Sequence, residues 1–343
     1  MKRFNVTGLC VPHKHYMVDI SGKIQQIKTL IDMECYFTIN RARQYGKTTT
    51  LSRLRRALTE EYVCVSISFE GFDENHFESS GAFCKIFMKH INAALKNAPV
   101  PEAYKNAWMD DTVTDFDLLS DHITKMCEGQ KIVLMIDEVD KTSNNRVFLH
   151  FLSMLRKKYL AREDGDDHTF HSVILAGVYD TRPSWNIAED FEVNMSFDAA
   201  EIATMLEDYE ADHNTGMDIA AMSEEIHNYT DGYPFLVSRL CRHIDEKLGK
   251  DWTAEGVQNA VRIMLNEKNT LFDDVTKNIE NNEELYKLLQ EMLFSNSFAA
   301  ASTRTPEIEI GLRYGILKIK NNLVCVSNAI FETFVARQVF QKI

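Results

Sequence analysis

Apolar positions in the first half of the chain alternate between two periods. Ile24, Ile27, Leu30 and Ile31 recur at helical spacing, with Ser21 placed to cap that helix. Residues 35–39 form a short apolar run, read as a strand, and Leu51, Leu54 and Leu58 mark one face of a helix just beyond it. Residues 62–69 predict a second strand, with Val63, Val65, Ile67 and Phe69 on one face. Leu119, Ile123 and Met126 mark another helix, and 132–136 reads as a fully buried strand. Phe148, Phe151, Leu152, Leu155 and Tyr159 stripe a long helix before a further apolar strand at 172–178. Strands separated by helices, with runs apolar on both faces, predict a parallel sheet covered on both sides. Ligands of such sheets gather at the carboxyl ends of the strands.

The strand signal stops near residue 195. Asp198 is placed to cap a helix containing Ile202, Leu206 and Tyr209, and helical spacing continues through Leu236, Leu240 and Ile244 to Val261 and Leu265. Leu285, Leu288, Leu289 and Met292 then lead to two short strands, 316–320 and 323–327, joined at Asn321-Asn322. An Asn-Asn connection suits a tight hairpin turn. A last helix carries Phe331, Phe334, Val335 and Phe340. The expected division is a sheet domain at 1–194, an all-helical lid at 195–275 and a winged-helix domain at 276–343.

Composition narrows the class. The 343 residues are 45% hydrophobic and 26% charged, ordinary values for a globular protein. No run approaches the roughly 20 apolar residues of a membrane helix, and no apolar stretch follows the basic start as a signal peptide requires. The seven cysteines are scattered and form no Cys-x-x-Cys pair, which reads as reduced core thiols of a cytoplasmic protein. A net charge of -13 argues against broad nonspecific nucleic-acid binding.

Two segments carry the chemistry. Arg41-Ala42-Arg43-Gln44-Tyr45-Gly46-Lys47-Thr48 follows the first buried strand, and Asp137-Glu138 ends the 132–136 strand. In this order they predict a nucleoside-triphosphate site. Lys47 is expected on the β- and γ-phosphates, with the amides around Gly46 and the following helix start, which includes Thr49, on phosphate oxygens. Thr48 and Asp137 would hold Mg²⁺, and Glu138 would orient and deprotonate the attacking water. Arg182, beyond the 172–178 strand, is placed to stabilise γ-phosphate charge. The loop departs from the full phosphate-loop pattern, because Arg41 stands where the first glycine belongs. With no glycine from 41 to 45, it is expected to use conformations open to residues with side chains. Arg41 and Arg43 have two open readings: added charge near the phosphates, or solvent-facing side chains.

That loop resembles the R-x-R-Q-x-G-K-[ST] loop of the bacterial AAA-like ATPases, relatives of the archaeal-type and STAND (signal-transduction) ATPases. Residues 7–19 look like the family's N-terminal segment, and Asp231-Gly232-Tyr233-Pro234-Phe235-Leu236-Val237 resembles its Gly-x-Pro motif. The resemblance implies a P-loop NTPase of the additional-strand, AAA-like type that binds ATP. It also implies Arg43, Gln44 and Tyr45 in the nucleotide loop, Tyr16 near the base and Pro234 coupling nucleotide state to domain position.

Other features have plainer readings. His13-x-His15 and His168-x-x-His171 have ligand-like spacing without a supporting cluster, and read as solvated loop histidines. The acidic run 163–167 lacks EF-hand spacing and reads as a solvated turn. Arg53, Arg55 and Arg56 read as an exposed helix face.

Two functions remain in view. One is an ATP-binding and hydrolysing switch, with nucleotide between the sheet and helical domains and a winged-helix output that binds DNA, a protein partner or a second copy of the chain. The alternative is a nucleic-acid-binding regulator on a degenerate nucleotide domain. Around 299–315 the basic residues Arg304 and Arg313 face Glu307 and Glu309, a balance that favours a protein contact over DNA.

Overall fold

Runs that are apolar on both faces are satisfied only inside a covered sheet, and two of them lie at its centre. In the computed structural model, which describes residues 1–139, 145–177, 193–295, 299–300 and 305–340, every residue of Ile132–Asp137 and Ser172–Gly177 is buried. The flanking strands Tyr36–Asn40 and Val63–Ser68 are only partly covered. All four are parallel, in the order Tyr36–Asn40, Ser172–Gly177, Ile132–Asp137, Val63–Ser68. Asn40 aligns with Gly177 and Ser68 with Asp137, so the carboxyl ends share one edge.

The chain folds as two compact units. The first holds this sheet and spans Gly22–Asn40 and Lys47–Val193. Its core joins the strands to helices Ser80–Leu95, Phe116–Cys127 and Arg146–Glu163 through buried residues such as Phe83, Phe87 and Phe151, while helix Lys47–Leu58 buries Leu51, Leu54 and Leu58. The rings of Phe83 and Phe87 lie 4.8 and 4.9 Å from that of Phe151. Each such ring buries on the order of 150–250 Å². The helix Ser80–Leu95 falls in a stretch for which the pattern above predicts nothing. Its stripe of Phe83, Phe87, Ile91 and Leu95 is regular, and the Ser79 hydroxyl caps its start by accepting from the Ala82 amide.

The second unit comprises Met1–Ser21, Arg41–Gly46 and Asn194–Ile343. Two short N-terminal strands, Arg3–Phe4 and His15–Tyr16, pair in parallel. Helices then follow from Ala199–His213 through Glu283–Ser295. Asp198 caps the first of these as expected, and Glu201 completes a reciprocal capping box. Towards the C-terminus, helix Pro306–Arg313 precedes the hairpin Leu317–Lys320 and Leu323–Val326, and helix Ala329–Phe340 follows it. Ala299–Ala300 pairs with the second hairpin strand to make a three-stranded antiparallel sheet. Asn321 and Asn322 both have positive φ, 51° and 63°, which the twist of a two-residue hairpin turn demands.

Four expectations are corrected. Helix Ser21–Asp32 begins at Ser21 itself, so Ser21 is its first helical residue rather than its cap, and its amide donates to the Asp19 carboxylate at 2.9 Å. His15 and His171 are buried rather than solvated; His15 Nδ1 accepts from the Val11 amide at 2.9 Å. The acidic run ends in Asp167, which pairs with the buried Lys158 and is no mere solvated turn. The lysine-loop strand runs Tyr36–Asn40, one residue later than the apolar run suggests, because polar Asn40 still pairs with Gly177. No described helix is long and apolar enough to cross a membrane.

Candidate nucleotide site

The lysine loop forms where the strand Tyr36–Asn40 gives way to the helix Lys47–Leu58. Lys47 is the first helical residue, so the N-terminal amides of the helix follow the loop directly. Two loop residues take left-handed backbone, Gln44 at φ 61° and Gly46 at φ 74°. The loop therefore places a side-chain-bearing residue in the region that favours glycine, contrary to the expectation from its sequence. Left-handed turns of this kind aim successive amides toward a common point, the geometry of an anion-binding nest.

Side chains of the loop are engaged within the second unit. Gln44 Nε2 donates to Thr270 Oγ1 at 2.7 Å, and exposed Arg43 lies 3.5 Å from Asp274. The Tyr45 ring sits 4.2 Å from that of Tyr233, and its hydroxyl lies 3.4 Å from Ser196 Oγ. The Tyr233 hydroxyl donates to the backbone carbonyl of Arg43. Burial holds both phenols above their ordinary pKa, so they remain protonated donors. Tyr233 and Thr270 are the loop partners that the sequence does not mark. Tyr233 stands in the motif only at its variable position, and Thr270 carries no local signal at all.

Within the sheet unit, Lys47 is 7% exposed and Asp137 6% exposed. Thr48 Oγ1 donates to Asp137 Oδ2 at 2.7 Å. The other carboxylate oxygen of Asp137 accepts the Glu138 amide at 3.0 Å. Glu138 takes φ 59°, so the chain turns sharply where the strand ends. Thr49 is half-buried in the first helical turn. The structure thus brings Lys47, Thr48, Asp137 and Glu138 to one edge of the sheet. Arg182 lies outside the described residues.

The hydroxyl and carboxylate of Thr48 and Asp137 are hard oxygen donors, the type that suits Mg²⁺. Among the described residues no group of three His, Cys, Asp or Glu is arranged to hold a metal alone. A divalent ion here would need phosphate or water oxygens to complete its shell, as Mg²⁺ sites commonly do.

Tyr16 and Pro234 belong to the second unit. Tyr16 is 2% exposed; its hydroxyl donates to Asp212 Oδ2 at 3.0 Å, and its ring packs 5.1 Å from those of Phe4 and Tyr209. Burial first, and then the bond to Asp212, raise its phenol well above the ordinary value. The ring is covered by the protein's own side chains. Pro234 opens helix Pro234–Lys247 at the position where a missing amide costs nothing. Gly232 has φ 69°, and a Cβ on it would lie 1.8 Å from the Phe197 carbonyl oxygen. The Phe197 amide donates to the Gly232 carbonyl at 2.9 Å, so two backbones touch at the glycine of the motif.

The chain matches the AAA-like domain family over residues 12–337 and belongs to that family. No curated protein matches it. Among solved structures it is similar to a Walker-type ATPase of Pyrococcus abyssi, at 11% identity and a TM-score of 0.64, with 97% of this chain and 99% of that one covered. The ADP form of the Aeropyrum pernix ORC2 protein aligns at 12% identity and a TM-score of 0.47, over 98% and 97% of the two chains. The first likeness shows the fold: an α/β P-loop ATPase-like architecture with a parallel sheet.

Proposed function

We propose that this member of the AAA-like domain family binds Mg-ATP at the Lys47 loop, hydrolyses it, and uses the nucleotide state as a switch. One observation carries the reading: the 2.7 Å bond from Thr48 to Asp137, with Lys47 immediately before the first and Glu138 immediately after the second. The strand Ser172–Gly177, inserted between the lysine-loop strand and the Asp137 strand, supports the additional-strand type of P-loop fold.

Each residue then has a physical task. The Lys47 ammonium neutralises the β- and γ-phosphate oxygens, and the amides of Gly46 and the helix start bind the same oxygens. Thr48 and Asp137 hold Mg²⁺, which when bound offsets charge building on the phosphates. Glu138, at the turn beyond Asp137, orients a water molecule and accepts its proton. Arg182 keeps its proposed place at the γ-phosphate. Loss of that phosphate changes what the loop 41–46 holds; its contacts with Tyr233 and Thr270 pass the change to the helical segment 195–275, and the 5.6 Å ring contact of Tyr233 with Phe331 passes it on to the segment 276–343, which we read as a winged-helix-like output.

That output favours a protein partner or a second copy of the chain over DNA. Helix Pro306–Arg313 sets Glu307 and Glu309 against a single Arg313, and Lys318 on the hairpin is already paired with Asp231 at 2.7 Å.

The test is a comparison of wild type with Glu138→Gln. Calorimetry is expected to give both proteins the same ATP affinity, while phosphate release slows by about 100- to 10,000-fold in the variant. Wild type that binds no ATP overturns the reading.

A further inference from the structure

We propose that Tyr233 and Thr270 are positioning residues that set the phosphate loop in its anion-binding shape before any ligand arrives. The inference rests on the nucleotide reading above and concerns how that same site is held together. The loop has one glycine, Gly46, yet it carries a second left-handed residue, Gln44 at φ 61°. For a residue with a side chain that backbone costs about 1–2 kcal/mol, so contacts elsewhere must hold it.

Those contacts fall on the residues that stand where glycine is absent. Gln44 Nε2 is held by Thr270 Oγ1 at 2.7 Å. On the residue before it, the Arg43 carbonyl accepts the Tyr233 hydroxyl, and on the residue after it, the Tyr45 ring packs 4.2 Å from the Tyr233 ring. Tyr233 thus grips both sides of Gln44, while Thr270 fixes its side chain. Tyr233 is fully buried, and burial keeps its phenol protonated, so the hydroxyl is a permanent donor. Gly315 lets the chain come close at the same place: a Cβ there would lie 2.8 Å from Ala42 Cβ and 3.7 Å from the Tyr233 ring.

The physical consequence is a division of labour. A glycine-rich loop reaches its shape because glycine permits it, and pays for that freedom in entropy when the anion binds. Here the side chains restrict the loop in advance, so less ordering remains to be done on binding.

The experiment titrates full-length protein with two probes, Mg-ATP and inorganic tripolyphosphate. Wild type is compared with Tyr233→Phe, which removes one hydroxyl, and with Thr270→Val, which lies outside the loop. Losing one hydrogen bond is expected to weaken binding of both probes by roughly three- to tenfold in either variant. Gln44→Gly is a third arm: it relieves the left-handed backbone but cuts the Thr270 contact, and it too is expected to bind more weakly. Equal or tighter binding by Gln44→Gly overturns the proposal, because glycine freedom alone would then suffice. So does a loss confined to ATP, which would put Tyr233 at the nucleoside end. Variants that match a binding-competent wild type overturn the positioning role alone. A wild type that binds neither probe overturns the nucleotide reading, and the positioning role with it.

Discussion

Thr48 Oγ1 donates a 2.7 Å hydrogen bond to Asp137 Oδ2, joining the helix after the lysine loop to the end of a strand 89 positions later. The bond ties together two oxygen donors that the sequence places far apart, on the edge where ligands of parallel sheets collect.

If this pair is a Mg²⁺ site, its effect on ATP binding depends on the metal. Asp137→Asn is expected to weaken ATP binding about tenfold with Mg²⁺ present and to leave it unchanged with EDTA. Calorimetry under both conditions reads the difference. An equal loss with and without Mg²⁺ would count against the metal role.

The Gly-x-Pro glycine makes a prediction about stability. Gly232 combines φ 69° with backbone contact to Phe197, so alanine would strain the turn and collide with the Phe197 carbonyl. Gly232→Ala is expected to cost about 3 kcal/mol or more. A urea midpoint equal to that of wild type would show that the turn relaxes freely.

A third prediction concerns Lys158, which is 1% exposed and donates at 2.6 Å both to Asp167 Oδ2 and to Thr124 Oγ1. Thr124 also donates to Asp167 Oδ1 at 2.6 Å. Burial by itself would raise the Asp167 carboxyl, but the hydrogen bonds from Lys158 and Thr124 outweigh it and hold it below its usual value of 3.8. A carboxyl depressed in the folded state stabilises above its unfolded pKa, and that stability is lost as pH falls through the folded value. Asp167→Asn is therefore expected to cost about 2–4 kcal/mol at pH 7, because it strands a buried ammonium. The gap to wild type should narrow below about pH 4. Urea unfolding at pH 7 and pH 3 measures both numbers.

Much of this was legible in the order of residues, because the signals involved are local. Strands at 132–136 and 172–178 announce themselves through unbroken apolar runs, and the structure buries all of Ile132–Asp137 and Ser172–Gly177. The Asn321-Asn322 turn and the Asp198 cap are equally readable, since each depends on a side chain beside its own backbone. Helix Ser80–Leu95 is just as local, with a regular stripe and a cap at Ser79, yet the apolar reading above leaves it out. The histidines went astray because burial depends on what packs against a residue from elsewhere. His15 and His171 sit in polar sequence and are nonetheless covered.

By itself the sequence marked the candidate site: a lysine at a helix start, a threonine after it, and two carboxylates ending a buried strand, because the chemistry a residue can offer travels with its type. Tertiary structure alone decided how a loop with so little glycine keeps its shape. Tyr233 reaches back 190 positions to the Arg43 carbonyl, and Thr270 reaches 226 to the Gln44 amide. No periodicity or spacing encodes such contacts, because they arise only when distant segments of the chain pack together and satisfy each other's polar groups.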